Sequence, residues 1–239
     1  TREKIFRVYK SLPPEKVLIL WLSLTLSGVL FFSSIILFNQ RFLITIPAYG
    51  GEIREGIVVT PRFINPVLAT TDQDKDFTAL IFAGLTKRNT DGLITLDMAD
   101  SIVKSEDGLR YIATLKDTAY FHNKTKVTAD DIIYTINIVQ SPVIKSPHKI
   151  EWEGIEIEKN SETQVTFILK KPFPLFMETL SLGILPKNVW KNLTEDQMSL
   201  SDFNIRAIGS GPYKIEDITT ESGIPSRFTL RAHQNYTLG

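Results

Sequence analysis

The sequence TADD at residues 128–131 places a hydroxyl next to two carboxylates, a combination that could serve acid–base chemistry. Adjacent side chains on a helix point about 100° apart, so Asp130 and Asp131 do not converge on one substrate atom. A threonine followed three residues later by an acidic residue is typical of a helix N-terminus, where each can bond to the other's backbone. We therefore predict structural roles for Thr128 and Asp131.

Neither the histidines nor any known catalytic motif indicates a metal site or an active site. His122, His148 and His233 lie far apart in the sequence and lack the helical spacing of metal ligands, so we predict no metal site and no cofactor. The chain contains no G-x-S-x-G, P-loop or H-E-x-x-H pattern. It offers no nucleophile, base and orienting group together, and we predict no catalytic activity.

The segment GSGPY at residues 209–213 has two glycines, as phosphate-binding loops do. It lacks the third glycine and the following helix that such a loop needs. The pattern favours a tight turn into a strand, with structural roles for Gly209, Gly211 and Pro212.

Composition excludes several further classes of protein. The chain has 239 residues, of which 43% are hydrophobic and 23% charged, enough for a sizeable core. Its formal net charge is zero and it has no basic block, so a nucleic-acid partner has no electrostatic support. It has no cysteine, which excludes disulfides and thiolate sites within it.

Residues 17–38 carry no charge, and this run is slightly longer than the ~20 residues that a helix needs to cross a bilayer. We predict a transmembrane signal anchor there. The preceding segment, residues 1–16, contains five cations while Arg41 alone follows closely, so the positive-inside bias places that segment in the cytoplasm and the rest outside. A cleaved signal peptide is the rival interpretation, but its apolar region usually has ~7–15 residues and ends at a small-residue cleavage pattern, which is unclear here.

After a linker at residues 39–49, strand and helix signals alternate without an internal repeat. Period-two alternation predicts strands, and helical spacing or short apolar runs predict helices. The predicted strands cover 51–59, 93–103, 109–116, 154–160, 164–171, 211–218 and 227–235, and the predicted helices cover 76–84, 128–140, 175–180 and 186–193. This order indicates a mixed α+β layer fold and not a doubly wound βαβ series.

Assembled in order, these segments resemble the family 5 extracellular solute-binding proteins, the peptide, dipeptide and nickel receptors of ABC importers. The most recognisable block is the hairpin that leads into T-x-D-D and a helix. The similar stretches are GGEIREG with INP, LIFAGLTKRNTDGLITLDMADS, SEDGLRYIATLKDTAYFHNKTKVTADDIIYTI, ILKKPFPLF, ILPK, GSGPYKI and LRAHQNY. Where the family usually has Asp-Gly, this chain has Asn123-Lys124, and we expect Asn123 to take the left-handed turn conformation.

The resemblance implies the first lobe of a two-lobed clamshell at residues 50–239, with the second lobe missing. In peptide-binding relatives an extended stretch after the proline turn runs beside the ligand backbone, which is strand addition. This stretch corresponds to Thr70, Thr71 and Asp72, and a second ligand-side position falls on His148. These four residues are the predicted ligand-binding positions.

The predicted function is the substrate-binding component of an ABC-type importer, anchored in the cell membrane. It would capture oligopeptides outside the membrane and deliver them to permease subunits. Three alternatives stay open: a sensory or structural receptor on the same fold, binding of nickel or another small solute, and an extracytoplasmic hydrolase on an unrelated fold.

Overall fold

The computed structural model describes residues 13–42 and 50–238. These residues belong to two compact units, Thr1–Glu55 and Gly56–Gly239. Most of the predicted cytoplasmic segment, up to residue 12, and most of the predicted linker, residues 43–49, lie outside the described residues.

The first unit contains one long helix, α1, which spans Pro14–Phe42. Proline suits its first position, because the first N–H groups of a helix have no intrahelical partner. Within Pro14–Phe38, an 18-residue window has a mean hydropathy of 2.1, and none of that window is buried. By length and composition α1 could cross a membrane, and it extends three residues before and four residues beyond the predicted span 17–38.

The second unit alternates short helices with antiparallel strands. Its helices are α2 (Asp72–Ile81), α3 (Ala129–Gln140), α4 (Lys149–Trp152), α5 (Phe176–Thr179), α6 (Lys187–Trp190) and α7 (Glu195–Met198), with a 3₁₀ turn at Asp202–Asn204. Its strands are β1 (Thr86–Arg88), β2 (Ile94–Leu96), β3 (Ala99–Lys104), β4 (Arg110–Leu115), β5 (Glu156–Lys159), β6 (Gln164–Ile168), β7 (Tyr213–Glu221) and β8 (Ile224–Ala232). The predicted mixed α+β class is confirmed.

The central sheet has the order β3-β4-β6-β5, and all its neighbours are antiparallel. The β5–β6 hairpin is the one that alternation predicts. In β4 the residues Tyr111, Ala113 and Leu115 are buried while Arg110 and Ile112 are exposed. One face of the sheet therefore carries the core and the other is solvated.

Aromatic side chains fill the space between this sheet and the helices. Phe176 is fully buried, and its ring centroid lies 4.7 Å from that of Tyr111 and 5.5 Å from that of Phe167. Trp152 lies 6.0 Å from the same Phe176 ring. These tilted and edge contacts fix α4 and α5 against the sheet.

The N-terminus of α3 follows the predicted TADD arrangement. Thr128 is the N-cap, and Asp131 Oδ2 accepts hydrogen bonds from the Thr128 N–H at 2.9 Å and its hydroxyl at 2.8 Å. Asp131 Oδ1 accepts a further bond from the N–H of Lys187 at 2.8 Å. Asp131 therefore joins α3 to the start of α6, while Asp130 points outward to Lys159.

Three local predictions are wrong. Residues 51–59 form no strand, because no described residue pairs with their backbone. The first helix of the second unit begins at Asp72 and not near residue 76. At the turn after β4, Lys124 has the positive φ of 68°, whereas the Asn123 side chain accepts from the N–H of Thr125.

Candidate functional site

A cavity of about 520 Å³ opens between α2 and the segments around α4 and α5. This volume lies within the ~300–1,000 Å³ range of small-molecule sites. Its walls combine apolar side chains with a nearly equal number of charged, imidazole and hydroxyl side chains. They are formed by Pro66, Ala69, Lys75, Thr78, Ala79, Phe82, His148, Glu151, Phe173, Leu175, Glu178, Thr179, Ser181, Leu182 and Gly183.

A capping box orients the wall that α2 provides. The Thr71 hydroxyl accepts from the Asp74 N–H at 3.1 Å, and Asp74 Oδ2 accepts from the Thr71 N–H at 3.3 Å. Asp74 Oδ1 also accepts from the N–H groups of Arg62 and Phe63. Burial alone would raise the pKa of Asp74, but these hydrogen bonds to its charged form lower the pKa overall. The ionised carboxylate thus fixes α2 to the chain that precedes it.

The facing wall is tied to the turn at residues 65–69. The Ser146 hydroxyl donates to the Val67 carbonyl at 2.7 Å and accepts from the N–H of His148 at 3.3 Å. His148 Nδ1 lies 3.4 Å from Glu151 Oε2. These contacts place an imidazole and a carboxylate on the same side of the cavity.

The third wall is held by close backbone packing. A Cβ on Gly183 would lie 2.6 Å from Phe82 Cβ, so a larger residue at this position would push on the cavity wall. The Leu85 N–H donates to the Leu180 carbonyl at 3.0 Å, and the Ile184 N–H donates to the Ala83 carbonyl at 3.0 Å. The α5 segment is thereby attached to the chain that leaves α2.

The GSGPY segment packs directly against the end of α2. A Cβ on Gly209 would lie 2.0 Å from the Ile81 carbonyl oxygen, and one on Gly211 would lie 2.6 Å from the Ile81 carbonyl carbon. The Gly211 N–H donates to the same Ile81 oxygen at 2.8 Å. Pro212 follows, and its carbonyl accepts from the N–H of His233 at 2.7 Å.

Two histidines from distant parts of the chain enclose this segment. His122 Nδ1 accepts from the Gly209 N–H at 3.2 Å, so its Nε2 carries the proton and donates to the Gly211 carbonyl, also at 3.2 Å. His233 Nδ1 lies 3.2 Å from that same carbonyl oxygen, and the two imidazole centroids are 4.8 Å apart. This arrangement requires His122 to be neutral, because a proton on Nδ1 would face the Gly209 N–H.

Electrostatics favour the same neutral state. Burial lowers the pKa of His122 to about 4, the nearby His233 and Lys214 lower it as well, and the hydrogen bond to Gly211 acts in the opposite direction. Burial also lowers the pKa of His233, with Lys214 again contributing. The histidine pair is therefore uncharged at neutral pH.

The predicted ligand-binding residues are divided by the structure. His148 lines the cavity, whereas Thr70, Thr71 and Asp72 do not. Asp72 is the first residue of α2, and the Thr71 N–H and carbonyl bond to Asp74 and Lys75. The extended stretch therefore ends at Thr71, whose N–H and carbonyl bond within the start of α2, and a ligand-binding role for Thr70, Thr71 and Asp72 stays a prediction. Thr70 is exposed, and its backbone makes no hydrogen bond to the described residues.

Lys75, Glu151 and Glu178 were missed as wall residues by sequence reasoning. The sequence TDQD at residues 71–74 repeats the T-x-x-D pattern of the α3 cap and would have placed Lys75 one turn into a helix. No comparable signal brings the α4 and α5 segments to that helix. Among residues 13–42 and 50–238, no group of three or more histidine or acidic side chains is placed to hold a metal ion.

Comparison with known proteins places these features in a family. Residues 94–239 match the family model described as bacterial extracellular solute-binding proteins, family 5 middle. The chain is 30% identical over 175 residues to the oligopeptide-binding protein AppA of Bacillus subtilis, covering 72% of this chain and 32% of that protein. It is 26% identical over 192 residues to a dipeptide-binding protein of Lactococcus lactis, covering 72% of this chain and 34% of the relative.

Solved structures show the same relationship. The Bacillus subtilis AppA structure, in complex with a nonapeptide, aligns with a TM-score of 0.68 at 28% identity, over 75% of this chain and 36% of AppA. NikZ from Campylobacter jejuni, in complex with Ni(L-His), aligns with a TM-score of 0.65 at 29% identity, over 78% of this chain and 36% of NikZ. The chain thus spans about a third of the length of these relatives. It belongs to the family 5 bacterial extracellular solute-binding proteins.

Proposed function

We propose that this protein is the substrate-binding component of an ABC-type importer, which captures oligopeptides outside the membrane and delivers them to permease subunits. The observation that carries this proposal is the cavity beside α2, whose walls join apolar side chains to a small set of charged groups. The similarity to AppA, whose structure contains a nonapeptide, supports peptides as the solute. Binding without chemical conversion agrees with the family to which the chain belongs.

We also propose that α1 anchors the protein in the cell membrane, with the N-terminus in the cytoplasm and the binding unit outside. Support comes from the length and hydropathy of Pro14–Phe38 and from the five cations in residues 1–16. The mature protein is then expected in the membrane fraction, with α1 retained. Mass spectrometry of the purified protein tests this, and a new N-terminus near residue 48 would identify a cleaved signal peptide instead.

Nickel is the second candidate solute, because His148 and Glu151 bring an imidazole and a carboxylate together on the cavity wall. Both groups are metal ligands, and the NikZ structure contains Ni(L-His). In a nickel–histidine complex the histidine already coordinates the metal, so the protein would have to supply few further coordinating groups.

Isothermal titration of the protein with both lobes of the clamshell distinguishes the two candidates. A pooled series of di- to octapeptides is titrated in one arm, and nickel with histidine in the other. We expect binding of peptides at micromolar concentration or below. Binding of the nickel complex alone would replace peptides by nickel as the solute.

A further inference from the structure

Two buried asparagine side chains join segments that lie 139 residues apart in the chain. Asn65 is fully buried and Asn204 is 2% exposed. Asn65 Nδ2 donates to Asn204 Oδ1 at 3.0 Å, and Asn204 Nδ2 donates to the Met198 carbonyl at 2.7 Å. The Asn204 carbonyl also accepts from the Ile64 N–H at 2.7 Å. Buried amides with satisfied hydrogen bonds favour one arrangement of the segments that they join.

Backbone groups fix the orientation of both amides. Asn65 Oδ1 accepts from the Val67 N–H at 2.9 Å, so the nitrogen of this amide must face Asn204. The Met198 group is a carbonyl, so Asn204 must present its nitrogen there and its oxygen to Asn65. Neither amide can be flipped without losing these hydrogen bonds.

Asn65 also holds the peptide group that connects Val67 to Leu68. The Asn65 carbonyl accepts from the Leu68 N–H at 3.1 Å. The peptide is trans, so the Val67 carbonyl points in the opposite direction to that N–H. There it accepts from the Ser146 hydroxyl at 2.7 Å, and the Ser146 oxygen accepts from the His148 N–H at 3.3 Å.

This path of hydrogen bonds ends on the cavity wall, to which Pro66, Ala69 and His148 belong. The Ala69 N–H donates to the Asn65 carbonyl at 2.9 Å, so one residue holds both the turn at residues 65–69 and, through Ser146, the segment before α4. The two asparagines therefore fix wall residues from separate segments, although neither asparagine lines the cavity.

On the basis of the proposed function, we infer that Asn65, oriented by Asn204, is a positioning residue for the solute, which acts through Ser146 to hold His148 at the cavity wall. Loss of Asn65 or of the Ser146 hydroxyl interrupts the same path. Their effects on His148 are therefore not additive, as is expected of residues in one hydrogen-bonded network.

The test is NMR of the imidazole groups in the protein with both lobes, prepared with ¹³C-labelled histidine and measured without ligand. The signals of His122, His148 and His233 are assigned by their loss in the three single His→Gln variants. His122 and His233 lie beside Gly209 and Gly211, away from the path, and report on any general loss of structure.

The variants are Asn65→Ala, Ser146→Ala and the double variant. Thr166→Val is the matched control for Ser146→Ala, because it removes a buried hydroxyl that donates to Asn160, outside the cavity wall. Circular dichroism establishes that each variant is folded. Ser146→Ala removes one hydroxyl, so it tests the path even if Asn65→Ala does not fold.

We expect Asn65→Ala and Ser146→Ala each to shift the His148 signals and to leave those of His122 and His233 in place. The double variant should shift His148 no further than the larger single change does, and Thr166→Val should match wild type. An unchanged His148 signal, equal movement of all three histidines, additive shifts or a His148 shift in the control would each overturn the inference.

Calorimetry with the pooled di- to octapeptides measures the consequence for binding. Each single variant should bind roughly fivefold more weakly than wild type, as the net loss of one hydrogen bond does. His148 shifts with unchanged affinity would make the path purely structural and overturn its positioning role. If wild type binds no peptide, the proposed function fails, whereas the NMR signals still decide whether Asn65 positions His148.

Discussion

Replacing Asp131 with alanine is expected to lower the free energy of unfolding by roughly 3–5 kcal/mol. The carboxylate is buried and accepts hydrogen bonds from the Thr128 N–H, the Thr128 hydroxyl and the Lys187 N–H. Its removal leaves two backbone donors without their partners and detaches the start of α6 from α3. Urea unfolding of the wild type and the variant measures the loss.

Asp130→Ala is the matched control, because it removes the neighbouring carboxylate of the same motif. Asp130 is 42% exposed and pairs with Lys159 at 2.9 Å, and surface pairs of this kind contribute about 0–1 kcal/mol. The control should therefore stay within about 1 kcal/mol of the wild type. If both variants lost the same free energy of unfolding, Asp131 would not have the special role of a buried helix cap that we assign to it.

Acidification is expected to destabilise the protein through His122 between pH 6.5 and 4. The ordinary pKa is 6.5 and the folded pKa is about 4, so in this interval the unfolded chain binds a proton that the folded chain does not. The contribution of neutral His122 to the free energy of unfolding is fully present above pH 6.5. It is lost as the pH falls from 6.5 to 4, and no further loss from this group occurs below pH 4. A difference of this size corresponds to roughly 3 kcal/mol.

The contribution of His122 is isolated by comparing wild type with His122→Gln. Urea unfolding at pH 7, 6, 5 and 4 gives the stability gap between the two proteins, and carboxyl groups common to both cancel in that difference. The gap should shrink by roughly 3 kcal/mol from pH 7 to pH 4. Parallel stability curves would mean that the neutral imidazole between Gly209 and Gly211 does not control the acid response.

The sequence predicted correctly those helices and hairpins whose stabilising residues lie within the same continuous segment. The α3 helix was predictable because TADD provides its cap and the isoleucines that follow form its apolar face. The β5–β6 hairpin was predictable because alternation and a short connection occur within one continuous segment. Residues 51–59 have the same strand-like alternation, yet alternation does not supply the second strand that a sheet requires.

The candidate site was less predictable because it depends on contacts between distant segments. His148 reaches the cavity through Ser146 and Val67, which are 79 residues apart in the chain. Gly183 packs against Phe82, which is also far from it in the sequence. The residues next to each contact partner in the sequence do not indicate that these distant segments meet. At Thr71 and Asp72 the resemblance predicted an extended stretch, whereas the T-x-x-D pattern of the sequence indicates the helix start that the structure has.

We propose that residues 50–239 form one of the two lobes of a peptide-binding protein, since the chain aligns with about a third of AppA. A clamshell gains affinity when two lobes close over the ligand, so one lobe supplies part of the contacts while association keeps its entropic cost. The decisive measurement is calorimetry of the protein with both lobes and of residues 42–239 alone, with the same di- to octapeptides. We predict micromolar or tighter binding by the two-lobed protein and no detectable binding by residues 42–239 at micromolar concentration. Absence of peptide binding by the two-lobed protein, or equally tight binding by residues 42–239 alone, would contradict the proposal.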